Sequence, residues 1–311
     1  MIKTSKKVLI SPSSFGKCGD RPIELLKENN YELILNPYGR KLTSDEVIKL
    51  GKDSVGIIAG VEPLNKEVLS SLKDLYCISR VGSGIDNIDI DYANKNGIIV
   101  KSTPYGPTRA VAELTIGLIF DLLRKISFRD RSMRKGKWEK EMGHLLKDKK
   151  IGIIGLGKIG KKVAELLIPF DVKLYTYDIK PDMKYIKSKN ITYLELKELL
   201  KKCDIICIHV NISKNSHPFI GKKEIDCMKK DSFLINVSRG GVVDEKALFD
   251  ALQKKHFSGV AIDVFSEEPY NGPLTKFDNV VLTPHIGSYA KESRLDMEVE
   301  AVNNFIKAFK K

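Results

Sequence analysis

A glycine-rich segment in the middle of the chain constrains its fold more than any other feature. Residues 151–160 read IGIIGLGKIG, so a short apolar strand leads directly into Gly155, Gly157 and Gly160 in the spacing G-x-G-x-x-G, followed by a helix. The first glycine of such a segment permits a tight turn, the second lets the backbone approach a pyrophosphate, and the third lets helix and strand pack closely. The N-terminus of the helix then offers N–H groups and a partial positive charge to the phosphates. The segment therefore predicts a dinucleotide-binding βαβ unit.

An acidic residue follows the next predicted strand at the distance that such a unit requires. Asp178 comes directly after the strand 172–177, where a carboxylate can bind the ribose hydroxyls. An acid at this place repels the 2′-phosphate of NADP and favours NAD, whereas Lys180 nearby leaves NADP open. The alternatives are a glycine-rich turn that binds no ligand and an aspartate that only caps the end of its strand.

Short apolar strands alternate with helices before residue 101 and again from Lys150, which predicts parallel sheets with helices on both faces. The predicted strands of the second half are 150–154, 173–177, 205–209, 233–236, 259–263 and 280–282. Two prolines and a glycine at 102–107 break regular structure and predict a crossing between domains. Because 311 residues exceed one typical core, two domains are expected. The fold class predicted is α/β, with two Rossmann-like or flavodoxin-like parallel-sheet domains separated by a cleft.

Composition narrows the classes of partner. The net charge of +13 is spread over short lysine groups without a basic tail, which is typical of a solvated surface and not of a nucleic-acid interface. The five cysteines match no zinc spacing, so no metal site is predicted and reduced thiols are expected. The first residues do not form a signal peptide, and no apolar run approaches the roughly 20 residues of a spanning helix. We expect a cytoplasmic protein that binds neither nucleic acid nor membrane.

Three side chains of different chemistry each lie just past a predicted strand of the second sheet: Arg239, Glu268 and His285. Ligands of open α/β sheets bind beyond the carboxyl ends of the strands. Reduction of a 2-oxo acid needs a cation for the carboxylate, a proton donor for the developing alkoxide and a nearby hydride. Arginine and histidine suit the first two tasks, and a glutamate beside the histidine would fix its orientation. Taken singly, each residue has the alternative of an ordinary surface side chain.

The same segments resemble the D-2-hydroxyacid dehydrogenases over nearly the whole chain. Besides the glycine segment, the motifs that carry the resemblance are RVGSGIDNID (80–89), AVAELT (110–115), Gly136-x-Trp138, NVSRGGVVDEKAL (236–248), DVFSEEP (263–269) and TPHIG (283–287). The resemblance implies that Arg239 binds the substrate carboxylate and carbonyl, that His285 is the general acid/base and that Glu268 is its partner.

The resemblance also implies the remaining site residues. Asp263 would hold the nicotinamide carboxamide, and a loop rich in backbone N–H groups would bind the substrate carboxylate. The expected substrate-binding residues are Val81, Gly82, Ser83, Gly84, Arg239 and His285. The expected NAD-binding residues are Gly155, Gly157, Lys158, Ile159, Gly160, Asp178, His209, Val210, Ser238, Asp263 and Gly287.

The family further implies a discontinuous domain arrangement. Residues 1–101 plus 285–311 would form the substrate-binding domain, with the last helix packed on the first part, and residues 102–284 would form the NAD-binding domain. A homodimer built on the coenzyme domain is expected, with the apolar helix 110–125 as a candidate surface. We expect no regulatory domain after residue 311, and hence no feedback control of the kind found in longer relatives.

The resemblance predicts hydride transfer between NAD and C2 of a D-2-hydroxy acid, and its substrate is ranked from a few positions. D-3-Phosphoglycerate comes first, because the context PTRAVAEL (107–114) occurs in some phosphoglycerate dehydrogenases and a basic chain suits a phosphorylated acid. Glyoxylate, hydroxypyruvate and other 2-oxo acids follow. The arginine that usually grips the anion is missing from Gly60-Val61-Glu62-Pro63, so Arg80 or Arg109 would have to replace it. An NAD-sensing scaffold or corepressor on the same fold is the alternative from another class.

Overall fold

The computed structural model describes residues 6–211 and 218–310, and the chain divides into two compact units. The first unit comprises Met1–Pro107 and Ser288–Lys311, and the second comprises Thr108–Gly287. The sequence placed the crossings after residues 101 and 284, a few residues before those of the structure.

The first unit is built on a parallel sheet with helices on both faces. Its strands are β1 Lys7–Ile10, β2 Glu32–Leu35, β3 Gly56–Ala59, β4 Cys77–Arg80 and β5 Ile99–Ser102. Its helices are α1 Arg21–Glu28, α2 Ser44–Gly51, α3 Lys66–Ser71, α4 Ile90–Lys95 and the C-terminal α12 Lys291–Phe309. Within the described residues the strand order is β2-β1-β3-β4-β5 with all neighbours parallel, which is the flavodoxin-like order.

The C-terminal helix covers one face of this first sheet. Phe305 and Met297 are fully buried in a cluster with Val8 and Ile58. Glu298 on the same helix is also buried, and its carboxylate accepts hydrogen bonds from the Gly16 N–H at 2.9 Å and from Arg294 Nε at 2.9 Å. These partners offset the cost of burying the carboxylate, since an unpaired buried charge is strongly unfavourable. The end of the chain is therefore part of the core of the first unit.

The second unit contains a larger parallel sheet. Its strands are β6 Lys150–Ile154, β7 Lys173–Tyr177, β8 Thr192–Tyr193, β9 Ile205–Ile208, β10 Ser232–Asn236, β11 Phe257–Ile262 and β12 Val280–Leu282. Its helices are α5 Pro107–Arg124, α6 Ile126–Arg134, α7 Lys158–Leu167, α8 Met183–Ser188, α9 Leu196–Lys202, α10 Lys222–Cys227 and α11 Glu245–Gln253, with short 3-10 helices at Ile168–Phe170 and Pro273–Lys276. In the described part of the chain the order is β12-β11-β10-β9-β6-β7-β8, all parallel. The two sheets confirm the predicted α/β fold class with two parallel-sheet domains.

Chain order reverses between β6 and β9 in the middle of this second sheet. Such a reversal opens a crevice beyond the carboxyl ends of the two strands, and ligands of open α/β sheets bind there. The glycine segment follows β6, so it lies at this point of the fold.

Helix α5 shows that one sequence interpretation was wrong. Pro107 was read as a breaker of regular structure, yet it is the first residue of α5. Proline suits the first helical turn because its φ is already helical and its missing N–H would have no partner there. The apolar residues Val111, Ile119 and Leu123 are buried in the core of the second unit. Neither α5 nor another helix of the described chain has the length and apolarity needed to traverse a bilayer.

Candidate active site

The glycine segment has the close contacts that its spacing predicts. Gly155 has φ +90°, and a Cβ there would lie 2.6 Å from the His209 carbonyl oxygen. A Cβ on Gly160 would lie 2.1 Å from the Gly155 oxygen. The Gly155 N–H donates to the Tyr177 carbonyl at 2.8 Å, which ties the turn to β7. Both glycines are therefore required by the backbone packing of the β6–α7 turn.

Gly157 differs from Gly155 and Gly160 because it faces open space. No atom lies within 4 Å of an ideal Cβ at this position, and Gly157 is the N-cap of α7, with Lys158 exposed and Ile159 half-buried behind it. The first N–H groups of a helix have no carbonyl partner within the helix, and the helix dipole favours an anion there. A side-chain-free approach to a helix N-terminus fits the pyrophosphate of a dinucleotide.

Asp178 lies at the carboxyl end of β7 with its carboxylate fixed by the backbone. Its Oδ2 accepts the Leu156 N–H at 2.7 Å and its Oδ1 accepts the Lys180 N–H at 2.8 Å. The aspartate therefore caps its strand end, as one sequence interpretation proposed. Each carboxylate oxygen retains a lone pair for a further donor, so the same geometry also suits ribose hydroxyls.

His209 and Val210 follow β9, on the other side of β6. The His209 N–H donates to the Ile154 carbonyl at 2.8 Å. Both ring nitrogens are buried, although part of the residue is exposed, and neither has a hydrogen-bond partner among the described residues. Burial lowers the pKa of His209 to about 4, which keeps the imidazole neutral. Buried polar atoms are normally hydrogen-bonded, so an imidazole without a described partner beside the glycine turn fits a ligand-binding position.

The loop that carries Arg239 is held by Asn236 at the end of β10. Asn236 Oδ1 accepts the Ser238 N–H at 3.1 Å and the Ser238 hydroxyl at 2.6 Å, and its amide group donates to the Arg239 carbonyl at 3.3 Å. A Cβ on Gly240 would lie 1.8 Å from the Phe265 carbonyl oxygen. Only glycine permits this approach, and it brings the loop after β10 against the loop after β11.

His285 and Glu268 form a direct pair. His285 Nδ1 lies 2.9 Å from Glu268 Oε2, and both side chains are partly exposed, by 49% and 38%. Glu268 Oε1 accepts the Phe265 N–H at 3.1 Å, which orients the carboxylate. With Nδ1 directed at the carboxylate, the other ring nitrogen of His285 is the one available to a reacting group.

Asp263 is buried at the end of β11 and binds the loop that carries His285. Its Oδ1 accepts the Thr283 hydroxyl at 2.6 Å and the Ile286 N–H at 2.8 Å, and its Oδ2 accepts the Gly287 N–H at 2.9 Å. Burial raises the pKa of Asp263, while these hydrogen bonds act in the opposite direction.

Arg239, Glu268 and His285 follow β10, β11 and β12, which are adjacent and parallel, so the three residues lie along one edge of one sheet. The glycine segment follows β6 at the same edge.

Sequence reasoning missed the supporting contacts of Asn236 and Thr283. The pattern Asn-Val-Ser at 236–238 is typical of an asparagine turn and offered a signal for the first. No group of three or more potential metal ligands is found in the residues that the structure describes.

The loop 81–84 of the first unit uses two of its backbone N–H groups in hydrogen bonds to other residues of the protein. The Val81 N–H donates to the Ala59 carbonyl at 2.8 Å and the Gly82 N–H to the Thr103 hydroxyl at 2.6 Å. Ser83 and Gly84 follow in the same loop, and no described hydrogen bond uses their N–H groups. An anion bound by this loop would therefore meet two amides instead of the four that the sequence suggested.

Known proteins that are similar to this chain cover most of its length. Residues 116–287 match the family model of the D-isomer specific 2-hydroxyacid dehydrogenase NAD binding domain. A glyoxylate reductase of Thermofilum pendens is 42% identical, covering 80% of this chain and 76% of the relative. A D-3-phosphoglycerate dehydrogenase of Methanocaldococcus jannaschii is 35% identical, covering 81% of this chain but 49% of the relative. The crystal structure of Aquifex aeolicus D-lactate dehydrogenase, complexed with NAD and lactic acid, has a TM-score of 0.84 at 30% identity, covering 98% of this chain and 95% of the other.

Proposed function

Because the chain belongs to the D-isomer-specific 2-hydroxyacid dehydrogenase family and is an NAD-dependent enzyme of that class, we propose that Arg239, Glu268 and His285 carry out its reaction on a small 2-oxo acid. The observation that carries this proposal is the His285–Glu268 pair at 2.9 Å, on the sheet edge that also presents Arg239. Reduction of a 2-oxo acid requires a proton donor that is held in place and a cation for the carboxylate, and these three residue types supply both.

When bound, NADH supplies the hydride. The Arg239 guanidinium binds the substrate carboxylate and polarises the carbonyl at C2. His285 donates a proton to the oxygen at C2 as negative charge develops there, and Glu268 holds the imidazole in place and stabilises its protonated form. The sum is 2-oxo acid, NADH and a proton giving 2-hydroxy acid and NAD. In the reverse direction His285 accepts the proton.

Glyoxylate, or another short unphosphorylated 2-oxo acid, is our first candidate substrate. The segment 60–63, where the phosphate-binding arginine was expected, contains an acid instead, and both carboxylate oxygens of this Glu62 accept the Gly60 N–H at 3.0 Å. Of the two arginines considered as replacements, Arg109 pairs with Glu113 at 2.5 Å on an exposed helix face, and Arg80 Nη1 donates to the Val81 carbonyl. The similarity to a glyoxylate reductase over three quarters of that relative also supports this ranking.

D-3-Phosphoglycerate, the first choice from the sequence, is the second candidate here. The PTRAVAEL context and the similarity to phosphoglycerate dehydrogenases support it, although the chain spans about half the length of that relative. Only the second candidate carries a phosphate group, so a comparison of phosphorylated with unphosphorylated substrates separates the two.

The experiment follows NADH absorbance with glyoxylate, hydroxypyruvate, pyruvate and 3-phosphohydroxypyruvate. We expect turnover by the wild-type protein, a loss of several orders of magnitude in His285→Gln with NADH affinity retained, and a smaller loss in Arg239→Lys, because lysine lacks the planar fork. His256→Gln is the matched control, because His256 precedes β11 at the opposite edge of the sheet. NADH binding without turnover of any acid would favour the NAD-sensing scaffold.

We further propose that Ser83 and Gly84 bind the substrate carboxylate through their amides. Replacing Ser83 by proline removes one N–H group, and we expect a raised KM for the oxo acid with NADH affinity unchanged. Ser83→Ala, which keeps that N–H group, is the control. A KM for Ser83→Pro equal to that of Ser83→Ala would exclude the amide from substrate binding.

A homodimer and a cytoplasmic location complete the proposal. The apolar side of α5, which the sequence suggested as the dimer surface, is buried in the core. Exposed apolar side chains are found instead in the segment that follows α5. They are Ile126, Met133, Trp138, Met142 and Leu145, of which Trp138 is 77% and Met142 92% exposed. Several exposed apolar side chains in one segment of the chain are typical of an interaction surface, and a second copy of the chain would cover them. Sedimentation should give a dimer for the wild type and for Ile179→Lys, another exposed apolar site, but a monomer for the double variant Trp138→Lys with Met142→Lys.

The proposed cytoplasmic location agrees with the free cysteines, which are compatible with a reducing compartment.

A further inference from the structure

A buried acid follows β3 in the first unit. Glu62 is 2% exposed, and both its carboxylate oxygens accept the same N–H group, that of Gly60, at 3.0 Å. Burying an ionised carboxylate is unfavourable unless hydrogen bonds or an opposite charge offset the cost. A single shared N–H group offsets this cost only in part, so further partners should lie nearby.

Arg80, the last residue of β4, brings a positive charge close to this carboxylate. The strands β3 and β4 are neighbours in the sheet, and Arg80 lies opposite Ala59. Burial raises the pKa of Glu62, whereas a side-chain hydrogen bond with Ser11 and the charge of Arg80 lower it. The carboxylate and the guanidinium therefore partly neutralise each other inside the first unit.

The guanidinium of Arg80 lies against the loop 81–84, the proposed binding loop for the substrate carboxylate. Its Nη1 donates to the Val81 carbonyl, and a Cβ on Gly82 would lie 1.5 Å from the same nitrogen. A positive charge at this place attracts anions, and it attracts a doubly charged phosphate more strongly than a carboxylate. The charge next to Arg80 therefore bears on which acids the loop accepts.

Hydrogen bonds hold Glu62 at a fixed place beside this loop. The Asn87 amide group, which follows the loop 81–84 in the chain, donates to the Glu62 carbonyl at 2.6 Å. The Leu64 N–H donates in turn to the Asn87 carbonyl at 2.9 Å. Because the carboxylate is also buried, salt screens its charge less than that of a surface acid. Its effect on the loop should therefore persist in the presence of salt.

We propose that Glu62 is a specificity-determining residue: its buried carboxylate neutralises Arg80 beside the loop 81–84 and so disfavours acids that carry a phosphate group. This inference rests on the proposed function, because it takes 81–84 as the substrate loop. With Glu62 in place, the loop favours a small unphosphorylated acid. Without it, the guanidinium would favour a phosphorylated one. The acid thus acts against the wrong substrate, which is a common source of specificity.

The test compares hydroxypyruvate with 3-phosphohydroxypyruvate, which are the same acid without and with a phosphate group. Glu62→Gln keeps the size of the side chain and an oxygen that can accept the Gly60 N–H, but it removes the charge. We expect kcat/KM for the phosphorylated acid to rise roughly tenfold to a hundredfold relative to that for hydroxypyruvate, because like charges close together are strongly unfavourable. Adding Arg80→Gln to Glu62→Gln should abolish this gain, since the attracting guanidinium is then absent.

Glu46→Gln is the matched control. Glu46 also accepts a backbone N–H, that of Thr43 at 2.9 Å, and it pairs with Arg40. Its loop follows β2, however, which lies three strand spacings or roughly 14 Å from β4. The ratio of the two kcat/KM values should therefore equal that of the wild type.

Arg80→Gln in the wild-type background gives a second test that does not require the Glu62 variant to fold. It leaves the charge of Glu62 without this counterion, so the phosphorylated acid should lose more activity than hydroxypyruvate. An unchanged ratio in Arg80→Gln or in Glu62→Gln would refute the proposal, and so would a gain that persists in the double variant.

Calorimetric titration with the product acids separates this inference from the proposed function. In the presence of NADH, D-glycerate and D-3-phosphoglycerate can bind but cannot react, because the coenzyme is already reduced. The ratio of their Kd values should shift towards the phosphorylated acid in Glu62→Gln and not in Glu46→Gln. A wild-type protein that reduces no 2-oxo acid while its Glu62→Gln variant shows this shift would refute the proposed function and leave the role of Glu62 intact. An active enzyme whose Glu62→Gln variant shows no shift would overturn the role of Glu62 alone.

Discussion

Substitutions at two glycines of one turn should separate coenzyme binding from folding. A Cβ on Gly157 meets no atom within 4 Å and the residue has φ −72°, so alanine fits without strain. The cost to folding is the weaker N-cap alone, below about 1 kcal/mol. A Cβ on Gly160 would lie 2.1 Å from the Gly155 oxygen, although such atoms do not approach within 3.0 Å. The backbone must therefore separate by about 0.9 Å, which costs roughly 1–3 kcal/mol as other overpacked sites do.

For NADH affinity the two substitutions should rank in the opposite order, because Gly157→Ala should weaken binding more than Gly160→Ala. The methyl group of Gly157→Ala occupies the space in front of α7, and loss of one hydrogen bond from its N-terminus to a charged phosphate costs about 2–3 kcal/mol, or roughly 30- to 150-fold in Kd. Urea denaturation measures the free energy of unfolding, and fluorescence titration measures the NADH Kd. Gly157→Ala should unfold nearly like the wild type yet bind poorly, whereas Gly160→Ala should lose stability. A Gly157→Ala protein that binds NADH normally would refute the reasoning.

Three further predictions concern charged groups. Asp178→Ala removes the acceptor for the Leu156 and Lys180 N–H groups, so fluorescence titration should show weaker NAD binding and a smaller preference over NADP. Burial lowers the pKa of His209 from 6.5 to about 4, so the unfolded chain binds a proton at a higher pH than the folded protein does. The free energy of unfolding should therefore fall as the pH falls from 6.5 to 4. Urea denaturation at a series of pH values should show a smaller decline in His209→Asn. The Arg40 hydrogen bond lowers the pKa of Glu46 from 4.5 to about 2. The wild type should therefore have a larger free energy of unfolding than Glu46→Gln above pH 4.5, and this difference should vanish as the pH falls towards 2. The same denaturation series measures it.

The elements of the fold follow from local patterns that the sequence displays. The strands β6, β7 and β12 have the predicted bounds, because each is a short apolar run next to turn residues. The start of α2 shows the limit of this reasoning. Thr43, Ser44 and Asp45 are all residue types that cap helices, but it is Thr43 that accepts the Glu46 N–H while Glu46 accepts that of Thr43, which forms a capping box. Three adjacent polar residues could each cap the helix, and only the register of the chain against the core decides among them.

The candidate site was predictable at the level of residue type and strand end. Its geometry was not, because it depends on contacts between loops that are distant in sequence. The contact of Gly240 with the Phe265 carbonyl is one such case, and the bonds from Thr283, Ile286 and Gly287 to Asp263 are another. Helix α6 was also missed, since its sequence ISFRDRSMR has no clear apolar stripe.

Transfer of deuterium is the most direct test of the proposed chemistry. The wild-type protein is incubated with NADH that carries deuterium at its transferable position and with each 2-oxo acid, and the product is analysed by mass spectrometry. Our account predicts a 2-hydroxy acid with one deuterium at C2, and no such product from His285→Gln. A product without the label, or no product from any 2-oxo acid although NADH binds, would contradict it.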